Sequence, residues 1–275
     1  MAWRESIVLT PSERRDILDL CLTWDDLLGR ESIDETRRRR VQHNSPGGHW
    51  LNVEGDRVIG YAGVLAHQGA EVELLGGQFD ATLAAAIRRD RSVVRWWLRG
   101  SNPYPADLRV VRQLNFMRAD LTATPRSEAR EGLRRINLGR DVDAWIAHNN
   151  ASFANHPEQG SWTKEDFETR AQEPWFDPSA FLLWEVDGDI AASCWIKFHE
   201  LAAERVGEIY VFSVDPRVQG QGWGHRMLDA GLAAISDRGV HHAVLYVDAD
   251  NLAATALYES AGFTTRRQDL LLQIP

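Results

Sequence analysis

The feature that most restricts the possible folds of this chain is an internal repeat of apolar segments and turns. Residues 50–65 have the pattern of two strands joined by a tight turn, and residues 182–198 have the same pattern. Gly55 and Gly188 occupy the two turns, where glycine tolerates the positive φ that a tight hairpin needs. Three more apolar segments follow in the same order in each half. They lie at 71–75, 93–98 and 114–116 in the first half, and at 208–212, 243–247 and 261–263 in the second half. Such repetition predicts two copies of one supersecondary unit.

The repeat predicts an α/β fold with a mixed sheet, divided into two tandem domains. In each half we expect three strands, a helix, a strand, a second helix and a final strand, preceded by helical sequence. The length of 275 residues agrees with about two domains of ordinary size. The domains are predicted at residues 1–125 and 131–275. The segment from Thr122 to Arg130 is the predicted linker, and chance similarity among short apolar runs is the alternative explanation of the repeat.

Charge and composition argue against several classes of protein. The chain has 31 Lys and Arg residues against 40 Asp and Glu, a formal net charge of −9, whereas non-specific nucleic-acid binders are basic. Cys21 and Cys194 are too few for a disulfide framework or a four-cysteine zinc site. No stretch approaches 18 uninterrupted apolar residues, and the first residues lack the apolar core of a signal peptide. We therefore expect a cytoplasmic monomer that binds no metal, membrane or nucleic acid.

A glycine-rich loop between a strand and a helix is the strongest functional signal. The strand, Gly207 to Val214, places Glu208, Tyr210 and Phe212 on one face by its two-residue period. Residues 217–224 follow an Asp-Pro pair, contain three alternating glycines and lead into a helix. Unpaired N–H groups and the positive end of the helix dipole meet at such a loop. The loop is therefore predicted to bind a phosphate.

The form of this loop indicates which phosphate ligand it binds. The helix after it is predicted from Leu228, Leu232 and Ile235 on one face, with Gly239 as its C-terminal cap. The loop lacks the Gly-Lys-Ser/Thr ending of nucleotide hydrolases and the third glycine of dinucleotide loops. Its string Gln219-Gly-Gln-Gly-Trp-Gly224 resembles the pyrophosphate loop of the GCN5-related N-acetyltransferases (GNAT), which bind acetyl-CoA. The alternative is a structural turn, but a turn needs only one or two glycines.

Longer strings extend the resemblance to the mycothiol synthase branch of this family. They are His156-Pro-Glu-Gln-Gly160, Glu173-Pro-Trp-Phe-Asp-Pro178 and a closing motif from Asn251 to Phe263. Shorter matches lie at residues 195–199, 207–211 and 245–247. Members of this branch are tandem acetyltransferases that acetylate the cysteinyl amine of Cys-GlcN-Ins, the last step of mycothiol biosynthesis. The resemblance implies the same fold, with acetyl-CoA and Cys-GlcN-Ins as the two substrates.

The resemblance also implies site residues. Glu208 would be the catalytic base and Tyr258 the acid that protonates the departing thiolate, while Asn251 is expected to cap a helix over residues 252–260. The implied substrate contacts are Glu35, Glu158, Lys197, Glu208 and Tyr246. The implied acetyl-CoA contacts are Phe212, Ser213, Val214, Gln219, Gly220, Gln221, Gly222, Trp223, Gly224, His225, Asn251, Leu252, Ala253, Ala254, Thr255 and Ala256.

The first half lacks the glycine-rich loop. It has only Gly76 and Gly77 before Asp80, a predicted helix N-cap, and this turn is too short to wrap a pyrophosphate. We therefore expect a catalytically silent first domain that completes the substrate cleft. The run Arg37–Arg40 is interpreted as a solvated helix face. Two other functions stay open: an acetyltransferase for another amine, such as an aminoglycoside or a protein N-terminus, and a non-catalytic acyl-CoA sensor.

Overall fold

The computed structural model describes residues 3–66, 69–89, 93–122, 131–154, 156 and 159–274. These residues form one mixed sheet of twelve strands, with seven α-helices and two short 3₁₀ helices. The predicted α/β class with a mixed sheet is thereby confirmed. Most of the predicted linker and the predicted substrate residue Glu158 lie outside the described residues, so the domain boundary stays a prediction.

The strands of the sheet come from both halves of the chain. The first six are β1 (Trp3–Ser6), β2 (His49–Glu54), β3 (Arg57–Ala66), β4 (Ala70–Leu74), β5 (Val94–Leu98) and β6 (Arg109–Asp120). The last six are β7 (Leu133–Arg135), β8 (Phe181–Val186), β9 (Asp189–Glu200), β10 (Arg205–Val214), β11 (His242–Asp248) and β12 (Thr264–Ile274). All the strands predicted from the repeat are present.

Side-chain caps determine where most of the helices begin. The helices are α1 (Pro11–Leu28), α2 (Glu35–Gln42), α3 (Ala81–Arg88), α4 (Val142–Ser152), α5 (Lys164–Ala171), α6 (Trp223–Ser236) and α7 (Leu252–Ser260). The 3₁₀ helices cover Pro178–Ala180 and Pro216–Val218. Side-chain oxygens that accept an N–H of the first turn precede five of the α-helices, at Thr10, Asp34, Asp80, Thr163 and Asn251. The caps predicted at Asp80 and Asn251 are thus confirmed.

The two halves exchange their final strands. The sheet order is β1-β2-β3-β4-β5-β12-β6-β11-β10-β9-β8-β7, so β12 lies between β5 and β6, and β6 lies between β12 and β11. A buried ion-pair network supports this exchange: Asp269 on β12 accepts from the Arg99 guanidinium at 3.1 Å and from the Gly100 N–H at 2.9 Å. Each half therefore completes the sheet of the other.

Two sequence expectations about helices are wrong. Residues 99–108, between β5 and β6, form no second helix, because Pro103 and Pro105 remove backbone donors and Gly100 adopts a φ of 68°. Helix α6 ends at Ser236 rather than near Gly239, because the Asp237 N–H closes the last turn on Ala233. Gly239 instead forms a separate turn with a φ of 71°.

An aromatic cluster supports the central strands of the second half. Trp195 on β9 is fully buried, stacks on Phe181 with ring centroids 4.7 Å apart, and contacts Trp145 and Tyr210 edge to face. Large rings fix strand positions because each buries much apolar area in one geometry. On the opposite face of the sheet, α6 packs its buried side chains against β9 and β10. Among the described residues, no helix is both long and apolar enough to cross a membrane.

Candidate active site

The sheet opens between β10 and β11, and this opening defines the site. The two strands pair in parallel only at Gly207 with Ala243 and at Glu208 with Val244. Beyond Glu208, β10 continues with β9 along one edge, while β11 continues with β6 along its other edge. In the described part of the chain no strand occupies the space between them. The backbone of β10 from residue 210 to 214 therefore presents an edge that an extended ligand could pair with.

A β-bulge at Tyr210 changes which side chains face the opening. The β9–β10 register shifts between Ile209 and Val211, so Tyr210 is the extra residue. Tyr210 lines the cavity described below, whereas Phe212 packs into the core beside α6. The expectation that Glu208, Tyr210 and Phe212 share one face is therefore wrong for Phe212. The two-residue period cannot reveal a bulge, which reverses the alternation after it.

The glycine-rich loop follows β10 directly and is open to solvent. Gly220 and Gly222 have φ angles of 75° and 85°, and a Cβ added at either would meet no atom within 4 Å. Gly222 is the N-cap of α6, and no side chain caps that helix. The first N–H groups of α6 consequently lack intrahelical partners, in a place that favours negative charge. The loop is open around both glycines, and the start of a helix is a common position for a bound anion.

The equivalent turn in the first half is closed by protein atoms. A Cβ at Gly76 would lie 2.9 Å from the Trp24 ring, and one at Gly77 would lie 2.3 Å from Arg99. The Asp80 carboxylate caps α3 and brings negative charge to that helix N-terminus. Strands β4 and β5 pair over four residues instead of two, so the sheet does not open there. The turn at Gly76 and Gly77 therefore lacks the open surroundings of Gly220 and Gly222.

The predicted acetyl-CoA residues lie in consecutive segments, most of them exposed or half-buried, whereas Ser213 is buried. They occupy the end of β10, the loop, the start of α6 and the first turns of α7. A close contact joins α6 to α7, because a Cβ at Gly224 would lie 3.2 Å from Leu257. Tyr258 is buried beside them, with its ring centroid 6.0 Å from that of Phe212. Burial raises the pKa of Tyr258, so its hydroxyl keeps a proton near neutral pH.

A cavity of about 800 Å³ lies between the two halves and reaches the opening at Glu208. Four of the predicted substrate residues line it, namely Glu35, Lys197, Glu208 and Tyr246. The fifth, Glu158, is outside the described residues. The first half supplies much of the wall, with residues 29–31, 33–37, 97, 99, 112, 114 and 116. This agrees with the expectation that the first half completes the cleft.

Lys197 forms ion pairs with two carboxylates from the first half. Its ammonium nitrogen lies 2.9 Å from the Glu31 carboxylate and 3.5 Å from that of Glu35, and 4.7 Å above the Trp175 ring. Burial by itself disfavours the charged ammonium, but the two carboxylates outweigh it and the pKa of Lys197 is raised. Burial likewise opposes ionisation of Glu31, yet Lys197 and His199 hold its pKa below the usual value. Lys197 is therefore a charged group that links the halves.

Glu208 is held by a histidine that sequence reasoning did not single out. His199 Nε2 lies 2.6 Å from a Glu208 carboxylate oxygen, and His199 Nδ1 lies 3.8 Å from Glu31. Both side chains are largely buried, so water screens this contact weakly. Lys197 and His199 are two residues apart on β9 and therefore point to the same face, and β9 pairs with β10 at Glu208. This spacing could have predicted His199 as a neighbour of Glu208. No local pattern marked Glu31, because its role depends on a contact across the halves.

The arginine run in the first half is not a solvated face, which corrects that interpretation. Arg37 is fully buried and pairs with Asp34, Glu71 and Glu73. Arg38 pairs with Asp25 at 2.7 Å, and Arg39 contacts Glu173. Arg40 donates to the carbonyls of residues 46 and 47. These cations stabilise the wall of the cavity. Within the described ranges, no cluster of three or more His, Cys, Asp or Glu side chains has the arrangement of a metal site.

Comparisons with known proteins agree with this geometry. The model of the acetyltransferase (GNAT) family matches residues 145–263. Solved structures of similar fold include a GCN5-related N-acetyltransferase from Sphaerobacter thermophilus, at a TM-score of 0.67 and 20% identity over 99% of this chain and 95% of that one. A tandem GNAT protein from the clavulanic acid biosynthesis pathway has a TM-score of 0.64 and 11% identity over 99% of this chain and 98% of that one. At these identities the structures show the fold alone.

Curated relatives are closer in sequence. The mycothiol acetyltransferase of Thermobispora bispora is 37% identical over 98% of this chain and 99% of its own length. That of Salinispora arenicola is 38% identical over 93% of this chain and 91% of its own length. That of Streptomyces coelicolor is 35% identical over 96% of this chain and 92% of its own length. The predicted family and the predicted class of enzyme, an N-acetyltransferase, are confirmed. The chain belongs to the mycothiol acetyltransferases of the GNAT family.

Proposed function

We propose that this protein transfers the acetyl group of acetyl-CoA to the cysteinyl amine of Cys-GlcN-Ins and so forms mycothiol. One observation carries the proposal: the sheet opens immediately after Glu208, and Glu208 also lines the cavity between the halves. A carboxylate is thus placed where an extended acyl donor in the opening and an amine in the cavity would meet. Holding two reactants in line accounts for much of the acceleration of such a transfer.

Acetyl-CoA is the donor in this proposal. Its pantetheine arm would pair with the backbone of Phe212 to Val214 as an added strand does. Its pyrophosphate would accept N–H groups from the segment 219–225, and residues 251–256 would flank the other side of the arm. The open space at Gly220 and Gly222 and the uncapped start of α6 support this placement.

Glu208 acts as the general base in this proposal. The acceptor must lose a proton before its amine can attack the thioester, and an α-amine of this kind has a pKa of about 7.7–8.0. A weak base is therefore sufficient, acting directly or through a water. His199 donates to the Glu208 carboxylate and keeps it in one orientation, which makes His199 a positioning residue.

Two groups stabilise the negative charge that develops, first on the thioester carbonyl oxygen and then on the departing thiolate. A backbone N–H near the end of β10 donates to the carbonyl oxygen as negative charge develops on it. Tyr258 then gives its proton to the departing thiolate, and its raised pKa keeps that proton available. The side chain lies against Phe212, next to the proposed pantetheine position.

The acceptor is recognised by charged and polar groups on both walls of the cavity. Glu35 and Glu208 offer carboxylates to a cationic amine. Lys197 has three N–H donors and two carboxylate partners, which leaves one donor for the substrate. Tyr246 adds a hydroxyl. Glu158 keeps its proposed substrate role on sequence grounds alone. Cytoplasmic location, a monomeric state and the absence of metal, membrane and nucleic-acid partners also remain proposals.

A single acetyl-CoA site per chain is part of the proposal. The filled turn at Gly76 and Gly77, the Asp80 cap and the unbroken β4–β5 pairing all argue against a second site. Equilibrium binding of acetyl-CoA should therefore give a stoichiometry of one. A stoichiometry of two would show that the first half also binds the donor.

A substrate comparison tests the proposed reaction. Purified protein is incubated with acetyl-CoA and either Cys-GlcN-Ins, free cysteine or an aminoglycoside, and the acetylated product is identified by mass spectrometry. We expect Cys-GlcN-Ins to have the highest kcat/KM. Glu208→Gln should lose about 10²- to 10⁴-fold in rate, the range for one general base. The control Glu200→Gln, an exposed glutamate at the end of β9, should not.

The same measurements separate the competing functions. A higher kcat/KM for an aminoglycoside would replace the proposed acceptor with another amine. Binding of acetyl-CoA without transfer to any amine would favour a sensor.

A further inference from the structure

Arg30 has a buried guanidinium that the proposed mechanism does not use. It lies just after α1, lines the cavity and is only 6% exposed. Its Nη1 donates to the Glu31 carbonyl at 2.8 Å, but its Nε and Nη2 are buried with no hydrogen-bond partner. Buried donors are nearly always paired, and an unpaired charged donor is costly. These two donors lack an acceptor in the described part of the protein, and the cavity that Arg30 lines is the route by which a ligand would supply one.

The protein supplies no counter-charge for Arg30. Arg37 and Arg99 of the lining have carboxylate partners: Arg37 pairs with Glu71 and Glu73, and Arg99 pairs with Glu73 and Asp269. Arg40 and Arg170 instead donate to carbonyl oxygens of the protein. The neighbouring Glu31 directs its carboxylate to Lys197 instead. Among the described residues, no carboxylate lies within ion-pair distance of the Arg30 guanidinium.

A second arginine, Arg267, lies within electrostatic range of Arg30 and is paired with Asp269 at 3.4 Å. Arg267 lies over the Phe116 ring at 4.0 Å, and burial together with the charge of Arg30 lowers its pKa. Tyr246 is within electrostatic range of Arg30 and Arg267 and also of Glu208. In the lining, the carboxylates of Glu31, Glu35 and Glu208 contact Lys197 and His199, whereas the Arg30 guanidinium has no carboxylate partner among the described residues. A ligand with a cationic end at Glu208 and an oxygen-rich end at Arg30 would fit this arrangement in one orientation.

The backbone holds Arg30 in place before any ligand arrives. Gly29 ends α1 with a φ of 62°, and the Arg30 N–H donates to the Asp25 carbonyl at 3.1 Å. The Asp25 carboxylate accepts the Ser32 N–H at 2.7 Å. A preorganised donor loses little conformational entropy on binding, which favours a recognition role.

We propose that Arg30 binds the inositol ring of the acceptor, with Nε and Nη2 donating to two adjacent hydroxyl oxygens. This inference rests on the proposed function, because that function supplies the ligand. The two N–H groups on one side of a guanidinium are parallel and match a pair of neighbouring oxygens. The acceptor's ammonium belongs at Glu208 and is repelled by Arg30. The first half, although silent in catalysis, then determines the substrate's orientation.

The test compares two acceptors on two proteins. Cys-GlcN lacks the inositol ring but keeps the reacting amine, so it reports on every contact except the proposed one. For Arg30→Met we expect kcat/KM for Cys-GlcN-Ins to fall by about 10- to 100-fold, as for loss of a charged hydrogen-bond donor, and kcat/KM for Cys-GlcN to stay unchanged. Arg57→Met, at an exposed position on β3, is the control and should leave both values unchanged.

A binding measurement gives a readout apart from activity. GlcN-Ins lacks the cysteinyl group and cannot be acetylated there, so its effect on the melting temperature reports binding alone. It should raise the melting temperature of the unmodified protein more than that of Arg30→Met. If Arg30→Met does not fold, Arg30→Lys replaces it in both assays, because lysine keeps the charge and loses the fork.

Several outcomes would overturn the inference. Equal losses on both acceptors would mean that Arg30 acts only through the structure of the cavity wall, and no loss on either would mean that water satisfies it. If inorganic phosphate competes with the acceptor in the unmodified protein but not in Arg30→Met, Arg30 belongs to an anion site instead. Failure of the proposed function has a different result, because the unmodified protein would then not acetylate Cys-GlcN-Ins at all.

Discussion

The contact between His199 and Glu208 allows a quantitative test of how the base is held. The perturbation is His199→Phe, which keeps a planar ring and removes the hydrogen bond to the carboxylate. The heavy atoms are 2.6 Å apart and both side chains are mostly buried, so the bond is short, charge-assisted and weakly screened. Such bonds contribute about 1.5–3 kcal/mol, which corresponds to about 10- to 150-fold in kcat/KM.

A double-mutant cycle isolates this contribution. If His199 acts only by orienting Glu208, then His199→Phe in a Glu208→Gln background should cost little further activity. The coupling free energy between the two positions should therefore equal about 1.5–3 kcal/mol. His199→Gln, whose amide can still donate to the carboxylate, should recover part of the loss.

The assay measures kcat and kcat/KM for Cys-GlcN-Ins at saturating acetyl-CoA, from about pH 6.5 to 9, which brackets the titration of the amine. The Glu208→Gln defect should shrink as pH rises, because the amine then deprotonates without help. The reasoning is refuted if the two losses are additive, since His199 would then act independently of Glu208. An equal Glu208→Gln defect at every pH would make Glu208 a substrate-positioning group.

Three further predictions follow from the geometry. Gly222→Val should raise the KM for acetyl-CoA at least about tenfold, because the side chain fills the loop. The control Gly188→Val has a similar φ of 89° and equally open surroundings, so it carries the same backbone strain and should leave KM unchanged. Equal KM values in the two variants would contradict the loop assignment. Tyr258→Phe should lower kcat with little change in KM and no recovery at high pH, because the raised pKa keeps the tyrosine protonated throughout; steady-state kinetics across pH decide this. Burial lowers the pKa of His148 to about 4, so below pH 6.5 the unfolded chain binds a proton that the folded chain does not. The free energy of unfolding should therefore fall by up to about 1.4 kcal/mol per pH unit as the pH drops from 6.5 towards 4. Denaturant unfolding of His148→Gln should show a weaker dependence of this free energy on pH.

The exchanged strands have a consequence for any attempt to separate the halves. A first half ending after β6 would lack the neighbours of that strand, since β12 and β11 both belong to the second half. A second half without β6 would leave β11 and β12 with unpaired edges, which are prone to aggregation. The cavity wall and the catalytic strand thus depend on the intact chain.

The sequence by itself determined the features that are encoded locally. Alternating apolar residues and turn glycines specify strands such as β10 and β11, and the helix signals specify α6 and α7, because these patterns depend on neighbours a few residues away. The glycine loop at 219–224 was readable for the same reason, since three glycines before a helix define an anion site without distant contacts. The family strings suggested the substrate and the proposed roles of Glu208 and Tyr258.

Only the tertiary structure decided which groups meet at the site. The reciprocal insertion of β6 and β12, the bulge at Tyr210 and the contact of His199 with Glu208 depend on pairing and packing between segments far apart in the chain. Arg30 has no sequence signal either, because an unpaired donor is defined by what surrounds it in space. Hydrophobic periodicity specifies which face of an element is buried, but not the partner that buries it, and at this site the partner comes from the other half of the chain.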